Sequence, residues 1–312
     1  MPETQKAWLQ IHFCVFLWGF TAIIGKLISM AAMPLVLWRM LLVAVLLFCA
    51  PRVWRSLAAL SRRHILAFSG VGVLVAIHWL GFYGAVKLAN ASVAATCMAM
   101  VPVFLCIIEP LVTGRPFVLR ELWLGVLAVP GIALIVGGTP ENMNVGVLVG
   151  VISALFAALF GAYNKRLIHR TDALSATALE MLSGGLFVAA LGLLLVLWSP
   201  SDTGSSALWP DPAQMFALPS SADLSYLLVL ALLCTLLPFV LSLRALRHLS
   251  AYASALAVNM EPIYAIILAV LILGEQRELG TAFYAGAALI LAVVFAYPFV
   301  VKVRAPNVVP QA

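Results

Sequence analysis

Glu261 stands directly before Pro262 inside VNMEPIYAIILAVLILG (258–274), a run with no other charge. A carboxylate at the centre of a bilayer costs about 3 kcal/mol on insertion scales. Pro262 has no N–H for the carbonyl of Val258, so a hydrogen-bond acceptor is left free just below the carboxyl; Pro102 does the same to Met98. These two prolines are expected helix-kink positions at similar depth. Glu261 either faces a wet cavity, as a site for a proton or a substrate amine, or bonds a neighbouring helix as structural glue. Lys26 lies beyond Trp18 and Gly19 on the first apolar run and is either an interfacial anchor or a counter-charge; Arg39 on the second can also snorkel outward. Trp18 and Trp79, the latter with His78 and Tyr83 close by, either line a cavity able to stack on an apolar solute or pack between helices. His78 serves equally as a proton carrier or a helix-to-helix hydrogen bond. Glu109 and Glu180 are weaker candidates near inner span ends, and Glu109 is expected to meet inner-leaflet water.

Other chemistry finds no support. GFTAIIGKL (19–27) mimics a phosphate loop but has five residues before Gly-Lys and ends in Leu27, where four and Ser or Thr are needed. GVGVLV (70–75) lacks the third glycine of a dinucleotide fingerprint, HExxH is absent, and the Ser-Gly pairs at 69–70 and 183–184 have no His at matching depth. The five cysteines fall in apolar runs without CxxC spacing and read as small hydrophobes. No enzyme activity, cofactor or metal is expected, and without a nucleotide domain this chain alone cannot drive primary transport.

The elements that must hold these charges are membrane spans. Of the 312 residues 64% are apolar and 10% charged, too few polar groups to cover a water-soluble surface. Since roughly 20 apolar residues cross the hydrocarbon, the sequence divides into about ten spans near 8–29, 34–50, 65–87, 91–112, 121–138, 145–163, 174–198, 224–245, 251–273 and 280–301. The expected fold is therefore an all-α integral membrane protein with ten transmembrane helices. The first run exceeds a typical signal-peptide core and nine more follow it, so no cleavage is expected. The net charge of +6 does not call for nucleic acid, because basic residues such as Arg52, Arg55, Arg62, Arg63, Lys165, Arg166 and Arg170 sit in short loops at span ends, where they set orientation. The 199–223 connection has three aspartates and no Lys or Arg, as an outside loop should, so both termini are expected inside.

Sliding the chain so that Ala91 falls on Ala251 lays LANASVAATCMAMVPVFLCIIEPLVTGR (88–115) on HLSAYASALAVNMEPIYAIILAVLILGE (248–275), pairing Met100 with Met260, Pro102 with Pro262 and Gly114 with Gly274. Two repeats follow, 1–140 and 141–312, each with five spans. An odd number turns the second upside down, the inverted arrangement that places a site near mid-membrane between halves. FLWGFTAIIGK (16–26), the paired proline spans and LILGEQ (271–276) resemble the drug/metabolite transporter superfamily, in particular its ten-helix branch with two EamA-type domains. That resemblance covers nearly the whole chain and implies a bacterial inner-membrane carrier of small metabolites, often an exporter. It also implies that spans one, three, six and eight complete the cavity wall around four and nine. In one departure, Gly274-Glu275 is answered by Gly114-Arg115, so no paired role is assumed for that turn.

Small residues line span six (Gly146, Gly150, Ala154, Ala158) and span ten (Ala288, Ala292, Ala296), for internal packing or a homodimer contact. The function expected is secondary active transport of a small amphipathic or zwitterionic solute, proton-coupled through Glu261; a channel or uniporter is the alternative, although no filter loop or charge ring is visible. The charge asymmetry makes a direct prediction: cysteines introduced at Ser61 and Ser205 label from opposite sides of the membrane. An impermeant thiol reagent reaching both from outside intact cells would refute the orientation.

Overall fold

The structure, a computed structural model, describes residues 2–198, 211–258 and 260–300. The first part of the acidic 199–223 connection and the C-terminal Lys302 and Arg304 lie outside the described residues. Every regular element described is helical, as lipid requires of segments that must satisfy their own backbone. Helices α1 (Glu3–Trp18) and α2 (Thr21–Leu27) form one bent segment, followed by α3 (Ala32–Phe48), α4 (Pro51–Ala58) and the long α5 (Arg62–Leu88). Then come α6 (Ala91–Met98), α7 (Val101–Thr113), α8 (Leu119–Gly138), α9 (Asn144–Leu167) and α10 (Ala173–Trp198). The last part holds α11 (Ser221–Ala231), α12 (Leu237–Ala245), α13 (Ala251–Val258), α14 (Glu261–Leu268) and α15 (Thr281–Val300).

Among the described residues six helical segments are long and apolar enough to cross a bilayer: Glu3–Leu27, Arg62–Leu88, Ala91–Thr113, Glu141–Arg170, Ala173–Trp198 and Ser221–Ala245. The protein is thus a multi-pass membrane protein. The pair α3 and α4 bends by 88°, and Val129–Gly138, Glu261–Leu273 and Thr281–Val293 are shorter apolar helices. The spine is α5, which packs on α9, α10 and α3, while α8 pairs with α15 and α1 with α12. Helix backbones approach closely along α9: Gly146 and Gly150 lie against Ala89 and Cys97, and Ala154 and Ala158 are fully buried. That small face is spent on internal packing. On α15 the inward face is Phe283, Gly286, Ala287 and Ile290, whereas Ala288 and Ala292 point outward.

Both proline spans are broken where the sequence breaks them. α6 ends at Met98 and α7 starts at Val101 with Pro102 in its first turn; α13 ends at Val258 and α14 starts at Glu261 with Pro262 likewise. Tight turns carry the chain across: Met100 N–H donates to Cys97 O and Met260 N–H to Ala257 O, each at 3.0 Å.

The outer ends of these broken helices are tied in a way the sequence reading missed. Asn90 and Ser250 cap α6 and α13, accepting from Val93 N–H and Ala253 N–H at 2.9 Å. The next N–H of each goes to a carboxylate from the other half. Ala91 N–H and Ser92 N–H donate to Glu275, both at 2.9 Å, and Ser92 Oγ adds a third bond at 2.7 Å. Ala251 N–H donates to Glu109 at 3.0 Å, and Arg115 Nε stands 3.3 Å from the second Glu109 oxygen. The expectation that Glu109 meets inner-leaflet water is corrected: it is 2% exposed, because a helix N-terminus and a guanidinium give it better partners than the interface does. The glutamate-to-arginine change between the two turns is part of the same device, since Glu275 binds a helix end directly and Arg115 supports the glutamate that does. Both turns need glycine, with φ of 76° at Gly114 and 71° at Gly274.

Removing the Glu275 carboxylate orphans two buried backbone N–H groups. Glu275→Ala is expected to destabilise the detergent-purified protein by about 3 kcal/mol. The thermal unfolding midpoint checks this, with exposed Glu141→Ala as a control expected within about 0.5 kcal/mol of wild type.

Candidate functional site

Between the two broken spans lies a cavity of about 150 Å³, a volume on the order of one that takes up a benzene-sized ring. Its wall comes from the α1–α2 segment (Trp18, Thr21), α3 (Arg39), α5 (His78, Trp79, Phe82), α6 and α7 (Met98, Val101, Leu105), α9 (Ala157, Phe160, Gly161), α12 and its C-terminal turn (Phe239, Ser242, Leu246), and α13 and α14 (including Ser254 and Glu261). Spans one, three, six and eight are therefore present with four and nine, and span two adds one residue.

That residue is Arg39, and its place corrects the expectation of an outward-snorkelling side chain. It is 2% exposed. Its Nε donates to Thr235 Oγ1 at 2.6 Å, Nη1 to Tyr83 OH at 2.5 Å and Nη2 to Cys234 O at 3.2 Å, and its guanidinium carbon lies 3.8 Å from the Trp79 ring centroid. A buried cation needs such a cage, and a planar fork over an indole face is the side chain best suited to fill it. The Cys234 and Thr235 acceptors are presented by a π-helical segment, Leu232–Leu236, in which Thr235 Oγ1 also donates to Leu230 O five residues back at 2.7 Å. Tyr83 reaches Arg39 by lying across Gly25 of α2, where any Cβ would collide with the ring. Three of the five guanidinium N–H groups are engaged by described residues.

Glu261 begins α14, where the positive end of the helix favours a negative charge. It is 8% exposed, lines the cavity, and makes no hydrogen bond with a described residue. No ion pair joins it to Arg39 among the described residues, although each lies within electrostatic reach of the other. His78 bridges α5 and α9: Ser153 Oγ donates to His78 O at 2.7 Å, and His78 Nδ1 lies 2.9 Å from Ser153 Oγ and 3.1 Å from Ser153 O. Aromatic contacts continue the wall, with His78 5.4 Å from Phe160 and Phe160 stacked on Phe239 at 6.3 Å between ring centroids.

Of the residues singled out in the sequence, Glu261, Trp18, Trp79 and His78 line this cavity. Tyr83 sits behind it, holding Arg39, and Pro102 and Pro262 are buried at the two helix breaks. Lys26 is not brought in; it is exposed at the end of α2, and Arg39 is the cation of the cavity. Glu180 is fully buried elsewhere, accepting from Asn164 Nδ2 at 3.4 Å. The sequence signal for Arg39 was present, a lone arginine well inside an apolar run, but the acceptors that cage it lie some 196 and 44 residues away in the chain.

Comparison with known proteins places this geometry in context. The profile of the EamA-like transporter family matches the chain twice, over residues 5–137 and 144–297. A comparison with curated proteins found no match. Among solved structures, one crystal structure of a protein superposes with a TM-score of 0.62 at 14% identity, covering 96% of this chain and 98% of the other. At that identity the likeness speaks for the fold alone.

The Arg39 cage yields a measurable coupling. Thr235→Val keeps the side-chain shape but takes away the Nε acceptor, and Arg39→Met removes the charge. In a double-mutant cycle read by thermal unfolding, the two are expected to couple by about 2 kcal/mol, the double variant being less destabilised than the singles add up to. Simple additivity would show that this hydrogen bond carries no weight.

Proposed function

This chain belongs to the EamA-like transporter family, and we propose that it is a secondary active transporter working by alternating access, built as two repeats (1–140 and 141–312) that cross the membrane ten times in opposite senses. The matched turns at Met100 and Met260, the matched caps at Asn90 and Ser250, and the carboxylates exchanged between halves support that reading. Its setting is a bacterial inner membrane with both termini cytoplasmic, in keeping with the basic loops at 51–64 and 164–173.

The observation that carries the mechanism is a carboxylate that no described residue hydrogen-bonds, on the wall of a cavity whose opposite charge is a caged guanidinium with two N–H groups unspent on described residues. A small zwitterion matches that pair, its carboxylate at Arg39 and its amine at Glu261, with an apolar or aromatic body against Trp18, Trp79, Phe160 and Phe239. Glu261 holds either the substrate amine or a proton. In the outward-facing state a proton displaces the amine; in the inward-facing state the proton leaves and a new substrate binds. With an inward proton gradient this exchange runs as export. Arg39 is fixed by its own cage and stays charged throughout, so the alternation falls on Glu261.

The test is flux in proteoliposomes under an imposed pH gradient, with amino acids and related zwitterions screened as substrates. Glu261→Gln, verified as folded, is expected to lose gradient-driven flux by at least about ten-fold, the loss of roughly one charge-assisted contact, and to lose its pH dependence. A variant with unchanged rate and unchanged pH dependence would make Glu261 structural glue and end the proton-coupling reading.

A further inference from the structure

A second and larger concavity lies away from the central cavity. It is an open groove of about 710 Å³ between the start of α5 and the end of α9. Its chemistry is graded along its length. At the helix ends stand Arg63, Arg166 and Arg170, with His64 beside them; Tyr163 follows, and deeper in the groove the lining is Leu66, Gly70, Leu74 and Leu159. Arg63, Arg166 and Arg170 are exposed, and among the described residues none of them is in an ion pair or spends a hydrogen bond on the protein. Asp172, two residues beyond Arg170 in the chain, is occupied by Ser175 Oγ at 2.8 Å and lies 3.9 Å from Arg52.

Three unneutralised guanidiniums converge on the mouth of a groove whose floor is apolar. The apolar part is outward-facing, with Leu66 72% exposed. A Cβ placed on Gly70 would touch nothing within 4 Å, so the groove is open where that glycine stands. From Arg63 to Leu74 the helix rises roughly 16 Å, close to the half-thickness of a hydrocarbon core about 30 Å across. A free anion would use the arginines and leave the leucine-lined length empty; a neutral lipid would use the length and leave the cations unpaired.

We propose that this groove is a binding site for an anionic diacyl phospholipid, its phosphate held by Arg63, Arg166 and Arg170 and one acyl chain lying over Gly70 between α5 and α9. Basic pockets between transmembrane helices at the cytoplasmic surface are suited to such headgroups. Because α5 also carries His78 and Trp79, and α9 carries Ser153 and Phe160, the lipid clamps together the two helices that form one wall of the central cavity.

The test is lipid titration of the delipidated, detergent-purified full chain, followed by native mass spectrometry and therefore independent of any transport activity. Phosphatidylglycerol is expected to bind at least about ten-fold more tightly than phosphatidylcholine of the same chains. Gly70→Leu fills the groove while leaving every charge, and a helix-favouring residue there meets only open space, so the fold should persist. That variant and the triple variant Arg63→Gln, Arg166→Gln, Arg170→Gln are each expected to bring phosphatidylglycerol down to the phosphatidylcholine level, with inorganic phosphate at millimolar concentration failing to compete. Equal binding of the two lipids to wild type, or phosphatidylglycerol binding unchanged by Gly70→Leu, would overturn the proposal. Displacement by inorganic phosphate alone would turn the groove into a simple anion site and overturn its lipid assignment.

Discussion

Two helix N-termini held by carboxylates from the opposite half of the chain are the constraint on which the rest of this structure depends. A helix interrupted inside a bilayer leaves backbone groups that no water can satisfy, each worth several kcal/mol if left bare. Here both interrupted spans solve the problem by borrowing: α6 is secured by Glu275 from beyond α14, and α13 by Glu109 from α7, with Arg115 behind it. Each half therefore supplies what the other needs to be stable. The exchange also ties the two broken segments to each other on either side of the cavity between them.

With the breaks fixed, the cavity inherits its electrostatics from two unlike arrangements. Glu261 is placed by the restart of a helix at the Glu261-Pro262 pair, which gives it a favourable helix end and, among the described residues, no side-chain partner. Arg39 is placed by a cage assembled from three elements, in which a π-helical segment turns one hydroxyl and one carbonyl toward it and a tyrosine passes over Gly25 to supply the third acceptor. One charge is held by three hydrogen bonds, the other by none from a described residue. In the transport cycle proposed above, that asymmetry makes Glu261 the group that changes partners and Arg39 the one that orients the ligand.

The helix pair α5 and α9 joins the inner site to the membrane around it. Its inward faces carry His78, Trp79, Ser153 and Phe160, and its end carries a basic groove open to the outside. Gly81 of α5 lies close against Ser153 and Val149 of α9, and Gly146 of α9 against Leu88 and Ala89, so the two helices are tightly packed at the end away from that groove.

What the sequence determined by itself was everything that depends on the solvent: that these apolar runs belong in lipid, that Pro102 and Pro262 must break their helices, and that a carboxylate at Glu261 has no business there unless it faces a cavity or a partner. Those follow from local composition, because lipid acts on each segment separately and proline acts on its own turn. The tertiary structure decided which charges meet. Arg39 and Lys26 look alike in sequence, each a cation in an apolar run, yet one is caged at the cavity and the other is exposed; the difference lies in acceptors contributed by distant helices. Glu109 and Glu275 likewise read as ordinary span-end glutamates until the halves pack and bring Ala251 and Ala91 to them. Whether a buried charge is tolerable is a property of its partners, and partners from across the bundle exist only once the bundle has formed.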